Sequence, residues 1–292
     1  MSAKGEREHT AQPYLRLHLS KDKNNKAHRE ARMIRRIGFA LASSAWLLCA
    51  ATAEAGPAEE KLMACMRANI PATLRIQEFQ LTSSDRKGEQ RKMAGRLFAK
   101  NEKDLLRAML KLTSPADLSG ASYLIREGQK ADEMYVFLPA LNRVRRINGS
   151  AGDGPLFGTD LSYADIKQVQ NAFMGAAPRI EGKEKLESRP ATVVSVVPTA
   201  ESGSRYSRIK AWVDDASCLA VKVEFMEGTT IRKRLAAPAS AIAKAGNYWY
   251  VSESTMFDLK LGTKTQLKIT GVKSGEDVAN RYFDSRNFYL GN

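Results

Sequence analysis

Residues 219–225 read Leu-Ala-Val-Lys-Val-Glu-Phe, and this stretch decides the fold. In an extended chain Leu219, Val221, Val223 and Phe225 fall on one side and Lys222 and Glu224 on the other, because successive strand side chains point to opposite faces. Neighbouring stretches repeat the pattern. Ile209, Ala211 and Val213 alternate with Arg208, Lys210 and Trp212. Leu106, Ala108, Leu110 and Leu112 alternate with Arg107 and Lys111, and Leu267 and Ile269 with Gln266 and Lys268. Ile231 and Leu235 flank Arg232 and Arg234, and Trp249 and Val251 share a face. Further strands are predicted over 73–82, 91–100, 121–127, 133–138, 142–148 and 191–197. Turn signals such as Asp85-Arg86-Lys87-Gly88 and Glu227-Gly228 separate them. Strands that follow one another closely, without alternating helices, argue for antiparallel pairing. One wet and one apolar face predict a single strongly curved sheet wrapped around an apolar interior. The expected class is mainly β with few helices.

Two segments break the strand pattern. Pro57 to Asn69 reads as a helix, with Pro57 in the first turn, Glu59 and Glu60 near its positive end, and Leu62, Cys65 and Met66 on one face. Pro71 stops it. Midway, the Gly-rich stretch 148–158 reads as a hinge loop. It lacks the Lys-Ser/Thr ending of a phosphate-binding loop. Ser162 then caps a helix expected to reach about Phe173, with Asp165 as its capping-box partner. Tyr163, Ile166, Val169 and Phe173 form its apolar stripe. This insertion is well placed to cover the mouth of a curved sheet.

The chain has 292 residues, 43% hydrophobic and 27% charged, an ordinary globular composition. No apolar run reaches the roughly 18–20 residues of a spanning helix. From Met33 the sequence reads as a signal peptide: Arg35 and Arg36, an apolar stretch from Ile37 to Ala51, then Ala53-Glu54-Ala55 as a small-x-small cleavage site. Three regions are expected: 1–32 as a non-native or disordered leader, 33–55 as signal peptide, and 56–292 as one mature domain. Met33 is then the expected start. Cys49 is not a lipid-attachment site on this reading, since Leu48 stands where a small residue is needed. The periplasm is the expected compartment.

Cleavage changes the charge and the chemistry. Residues 1–55 hold ten of the 46 basic and five of the 32 acidic residues, so 56–292 keep 36 and 27, a net +9. His9, His18 and His28 all lie in the removed part. A mature chain without imidazole has no Ser-His-Asp or Cys-His mechanism and lacks the commonest metal ligand. No enzyme, cofactor or metal is expected. Export also argues against nucleic acid as the partner of the positive charge. Cys65 and Cys218 remain, and an even count in an exported chain favours a disulfide, with two buried thiols as the alternative. Asp214-Asp215 and Asp132-Glu133 read as turn residues, not as acid/base pairs. Arg143 and Arg145 share a strand face while Arg146 points oppositely. They read either as a solvated face or as contacts for an anionic headgroup or acidic partner.

Four stretches carry a family resemblance: Cys65-Met66-Arg67-Ala68-Asn69-Ile70-Pro71, residues 115–124 (PADLSGASYL), residues 134–147 (MYVFLPALNRVRRI) and residues 157–165 (FGTDLSYAD). Together they resemble the bacterial outer-membrane lipoprotein-sorting proteins, the LolA-like group. The resemblance spans nearly all of 56–292. It implies an unclosed antiparallel β-barrel with an α-helical lid, and an apolar cavity that shields acyl chains in the periplasm.

On that basis Tyr163, Ile166, Val169 and Phe173 are expected to close over a cavity lined by Leu106, Leu110, Val136, Leu138, Val221, Val223, Trp249 and Ile269. Arg143 and Arg145 are expected near the mouth, and Arg143, Arg145 and Arg146 as headgroup or partner contacts. The expected function is a periplasmic lipoprotein or lipid carrier, monomeric, with acyl chains or free lipid as cargo and an inner-membrane transporter as donor or partner. The alternative is an adaptor or sensor that binds an envelope membrane protein without ferrying cargo.

Overall fold

The computed structural model describes residues 55–170, 172, 177–276 and 281–291, and they fall in the compact unit 51–292. The expected leader 1–32, the expected signal peptide 33–55 except Ala55, and the expected lid residue Phe173 lie outside the described residues. No helix among the described residues is long and apolar enough to cross a membrane.

Helix α1 (Pro57–Arg67) precedes strands β1 (Leu74–Ser84), β2 (Gln90–Glu102), β3 (Leu105–Ser114), β4 (Ser122–Arg126), β5 (Glu133–Leu138) and β6 (Arg143–Ile147). After α2 (Asp165–Val169) come β7 (Arg179–Leu186), β8 (Arg189–Val196), β9 (Arg208–Asp214), β10 (Ala220–Glu227) and β11 (Thr230–Ala236). A small hairpin, β12 (Ile242–Ala245) with β13 (Tyr248–Val251), precedes β14 (Glu253–Asp258) and β15 (Thr263–Gly275). The large sheet runs in the order β6-β5-β4-β3-β2-β1-β15-β14-β11-β10-β9-β8-β7, with every pairing antiparallel. It is one large curved sheet that does not close: β6 and β7 are its free edges.

The inner face of this sheet carries the main core. Phe79, Leu81, Leu97, Leu106, Leu110, Leu112, Tyr123, Ile125, Val223 and Phe225 cluster there with Met66 of α1 and Ile166 of α2. Met66 and Ile166 therefore anchor the two helices on the same surface, with Leu62 and Val169 packed beside them. Cys65 and Cys218 form a disulfide across 153 residues of sequence, tying α1 to the β9–β10 turn.

The outer face differs from the expectation of one wet surface. Over β2 to β5, Phe98, Met109, Leu124 and Phe137 form a second buried cluster with Phe283 and Phe288. Tyr282 stacks on Phe98 with ring centroids 4.4 Å apart, and Tyr289 on Phe137 at 3.9 Å. Lys111 Nζ fastens this C-terminal segment by donating to the carbonyls of Tyr289 (3.1 Å) and Gly291 (2.7 Å). The physical reason lies in the strands. Their central residues are apolar on both sides, as in Ala108-Met109-Leu110 and Tyr123-Leu124-Ile125, and a strand of that kind is stable only when covered on both faces.

Strands β7, β12 and β14 were not expected from the sequence. β7 is an edge strand exposed along most of its length, and β14 alternates Ser254, Met256 and Asp258 inward, two of them polar. Helix α2 is also shorter than expected, ending at Val169.

Candidate functional site

The lid segment begins as the capping-box reading requires. The Ser162 backbone N–H donates to Asp165 Oδ2 (2.7 Å) and the Asp165 N–H to Ser162 Oγ (3.2 Å). Burial pushes the Asp165 carboxyl above its usual range, against the opposing pull of Lys233 and the Ser162 hydrogen bonds. Ile166 is buried in the main core, while Tyr163 and Val169 are half-buried against it. The Tyr123 hydroxyl donates to the Tyr163 carbonyl at 2.7 Å.

The Gly-rich stretch is not the free hinge its composition suggests. Asp153 accepts from the Arg205 backbone N–H at 2.6 Å, and the Asp160 carbonyl accepts from Lys233 Nζ at 2.7 Å. Asp160 also accepts from the hydroxyls of Thr263 and Thr265 on β15. A carbon added at Gly203 (φ +62°) would lie 2.6 Å from Gly149 Cα. Only a glycine there lets the loops from the two halves of the sheet touch across the open side.

Two buried ionic centres meet the lid. The first is Glu127, at the end of β4, which is wholly buried. Arg67 of α1 donates to it through both terminal nitrogens (2.9 and 3.1 Å), Lys167 of α2 lies 3.1 Å away, and the Leu106 N–H donates at 2.7 Å. Burial alone would raise this carboxyl. The Arg67 hydrogen bonds and the Lys167 charge outweigh it and hold the group below its usual range.

The second centre is Arg75 on β1, which points inward. Its terminal nitrogens donate to the Asn69 carbonyl and to Gln170 Oε1, both at 2.9 Å, and Gln170 donates in turn to Gln77. Among the described residues no carboxylate pairs with it, and its Nε–H has no partner. Burial lowers its pKa to about 10, with Tyr248 and Tyr250 acting in the opposite sense. It lines a pocket of about 20 Å³ with Gln77, Gln168, Val169, Trp249 and Ile269.

A larger cavity of about 370 Å³ opens on the other side of α2. Its apolar wall is Met134, Ile147, Val196, Ile209, Tyr206 and Phe225, contributed by both halves of the sheet. Lys130, Asp132, Asp153, Asp165 and Lys167 ring its polar side. Burial pushes the Tyr206 phenol well above its usual range, and its hydroxyl has no partner. Gln168 of α2 lines both this cavity and the small one, so the helix is the wall between them.

The sequence-predicted residues distribute unevenly. Leu106, Leu110, Val136, Val223 and Ile269 are buried together in the main core, with Leu138 packed against them. None of the eight lines the larger cavity, and Trp249 and Ile269 line the small one. Val221 is separated from the others because a bulge between Ala220 and Lys222 interrupts the alternation. It lines a different pocket, with Leu186, Arg189, Ala191 and Ile242. Arg143 pairs with Leu138 and Arg145 with Val136, so both share the inner face, while Arg146 pairs with Tyr135 on the outer one. All three are exposed on the edge strand. The cavity residues Ile209 and Phe225 were legible as inward members of strands. Arg75, Glu127 and Lys167 carried no local signal, since a buried ion is recognisable only from its tertiary surroundings.

A family model described as an uncharacterized-protein-like family matches residues 105–289. No curated protein matches the chain. Among solved structures, a DUF1329 family protein from Desulfovibrio piger is 21% identical with a TM-score of 0.70, over 79% of this chain and 98% of that one. A putative outer membrane lipoprotein-sorting protein domain from Vibrio parahaemolyticus is 21% identical with a TM-score of 0.68, over 79% and 99%. A LolA superfamily protein from Nitrosomonas europaea is 16% identical with a TM-score of 0.57, over 77% and 97%. At these identities the likeness is one of fold.

Proposed function

The chain belongs to the uncharacterized-protein-like family whose model it matches and has the LolA-like fold, and from that premise we propose that it is a periplasmic carrier that shields acyl chains of lipid or lipoprotein from water. The observation that carries this reading is the cavity of about 370 Å³ between α2 and the inner face, on the open side of the sheet. Its size lies at the lower end of the roughly 300–1,000 Å³ range of small-molecule sites, enough for one slender chain. Each methylene removed from water contributes about 0.8 kcal/mol, so even a partly apolar hollow holds a long chain firmly. More cargo requires α2 to move from the core. Ile166, Tyr163 and Val169 would then exchange places with acyl chains against Leu106, Leu110, Val136, Leu138, Val223 and Ile269.

On this reading residues 33–55 direct export, and Arg143, Arg145 and Arg146, the last of which lines the larger cavity, meet anionic headgroups or an inner-membrane partner. The test is lipid extraction. Protein purified from envelope fractions is expected to carry lipid detectable by mass spectrometry, and delipidated protein to take up a fluorescent acyl probe. Protein that is repeatedly lipid-free and takes up no probe overturns the proposal. The free basic edge of β6 favours an adaptor as the second reading. A stoichiometric membrane-protein partner in cross-linked envelopes, with no lipid transfer, would favour it.

A further inference from the structure

A buried cation without a counter-ion is costly to keep. Taking a guanidinium out of water costs several kcal/mol, and folded proteins normally recover this through a carboxylate. This chain does so at Glu127, where Arg67 and Lys167 meet one carboxyl. It does not do so at Arg75, which is 6% exposed and bonded only to neutral oxygens. The missing partner has somewhere to come from. Arg75 lines a pocket with room for about one water-sized group. A second orphan polar atom, Gln168 Oε1, belongs to a residue lining the same pocket, and half a turn of that amide would present its NH₂ instead. The remaining wall includes Val169, Leu219, Trp249, Val251 and Ile269, which suit a hydrocarbon chain. Gln168 also lines the open cavity, so displacement of α2 joins the two spaces into one path ending at Arg75.

We propose that Arg75 is an anion-recognition centre at the inner end of the cargo path, taking a carboxylate or phosphate carried on an apolar chain. The inference rests on the carrier reading and deepens it by naming the cargo as an anionic amphiphile. The planar fork of arginine suits two oxygens of one such group, and its unused Nε–H supplies a donor beside the terminal nitrogens.

The experiment compares cis-parinaric acid with its methyl ester, which has the same chain without the charge. Wild-type mature protein is expected to bind the acid at least tenfold tighter than the ester. Arg75→Gln is expected to bind the acid no more tightly than the ester, losing the preference. Arg75→Gln also removes the buried hydrogen bonds to Asn69 and Gln170, so its probe-free Tm is expected to fall, and the readout is the acid-to-ester ratio within each protein, which a merely structural role would leave unchanged. Should that variant fail to fold, arginine side-chain NMR of wild type decides: an Nε–H cross-peak moves with the acid and not with the ester. Displacement of the acid by 1-oleoyl lysophosphatidate at lower concentration than by oleate assigns the group as phosphate, and the reverse order as carboxylate. Equal affinity for acid and ester, or a preference that survives in Arg75→Gln, overturns the anion centre while leaving the carrier intact. Failure of both probes to bind overturns the carrier reading, and this inference falls with it.

Discussion

The two halves of the sheet solve the same problem differently. From β2 to β5 both faces are buried, the inner one by the helices and the outer one by the aromatic residues of 281–291. From β7 to β11 only the inner face belongs to the main core. There the outer face is a small apolar cluster of Ala191, Val193 and Trp212 under a lattice of charge: Lys222 Nζ lies 3.7 Å and Lys210 Nζ 4.8 Å from the Trp212 ring, and Trp212 Nε1 donates to Glu184 at 2.7 Å. Glu224 holds Lys222 at 3.0 Å and Arg234 at 3.1 Å, and Arg189 donates to both oxygens of Asp214. A sheet face can thus be finished either by hydrocarbon or by interleaved long side chains whose stems lie along it. The first solution needs another stretch of chain and the second needs none.

The comparison can be broken in order of expected effect. Reducing Cys65–Cys218, the covalent tie from α1 to the thinner half, is expected to cost about 5 kcal/mol on the chain-entropy model, read by urea unfolding with and without reductant. Glu127→Ala is expected to cost roughly 3–5 kcal/mol, because it strands the Arg67 guanidinium and leaves Lys167 with Asp132 alone. Since the folded Glu127 pKa is held down, its contribution is fully present above the unfolded carboxylate pKa and is lost as pH falls through the folded value. Wild type should therefore lose stability on acidification more steeply than Glu127→Gln, and parallel acid melts of the two proteins would contradict the assignment.

Phe288→Ala, in the covered half, should cost about 3 kcal/mol. Trp212→Ala, in the charged half, should cost about 3 kcal/mol as well, because the indole is buried, packs on Ala191 and Val193 and donates to Glu184. A loss below about 1 kcal/mol for the Trp212 variant in thermal melts would show that the long charged side chains leave that face uncovered. Arg91→Ala, which removes an exposed pair with Asp117, should change stability by less than about 1 kcal/mol.

The sequence was most readable where one face met water. Ile209, Ala211 and Val213 against Arg208, Lys210 and Trp212 gave the strand, its inward face and its outward face correctly. It was less readable where both faces are buried. Phe98, Met109, Leu124 and Phe137 look like interruptions of an alternating pattern until the segment carrying Phe283 and Phe288 is laid over them. The reciprocal Ser162–Asp165 pair was legible because both partners sit within three residues. The cavity was not, because its wall joins Met134 and Ile147 to Val196, Ile209 and Phe225 across the open side, where no strand pairing links them. Val221 shows how one bulge defeats a period-two argument: a single extra residue moves a side chain from one surface to the other.

The bond between Cys65 and Cys218 encloses β1 through β9, including the loops that border the open cavity. A protease that cuts this protein once, anywhere between those cysteines, leaves its two fragments joined. Such a molecule runs as one band on a denaturing gel until thiol is added. Proteolysis could therefore sever a loop at the cavity without shedding either fragment, and the lesion would pass unseen in any assay of abundance that omits reductant.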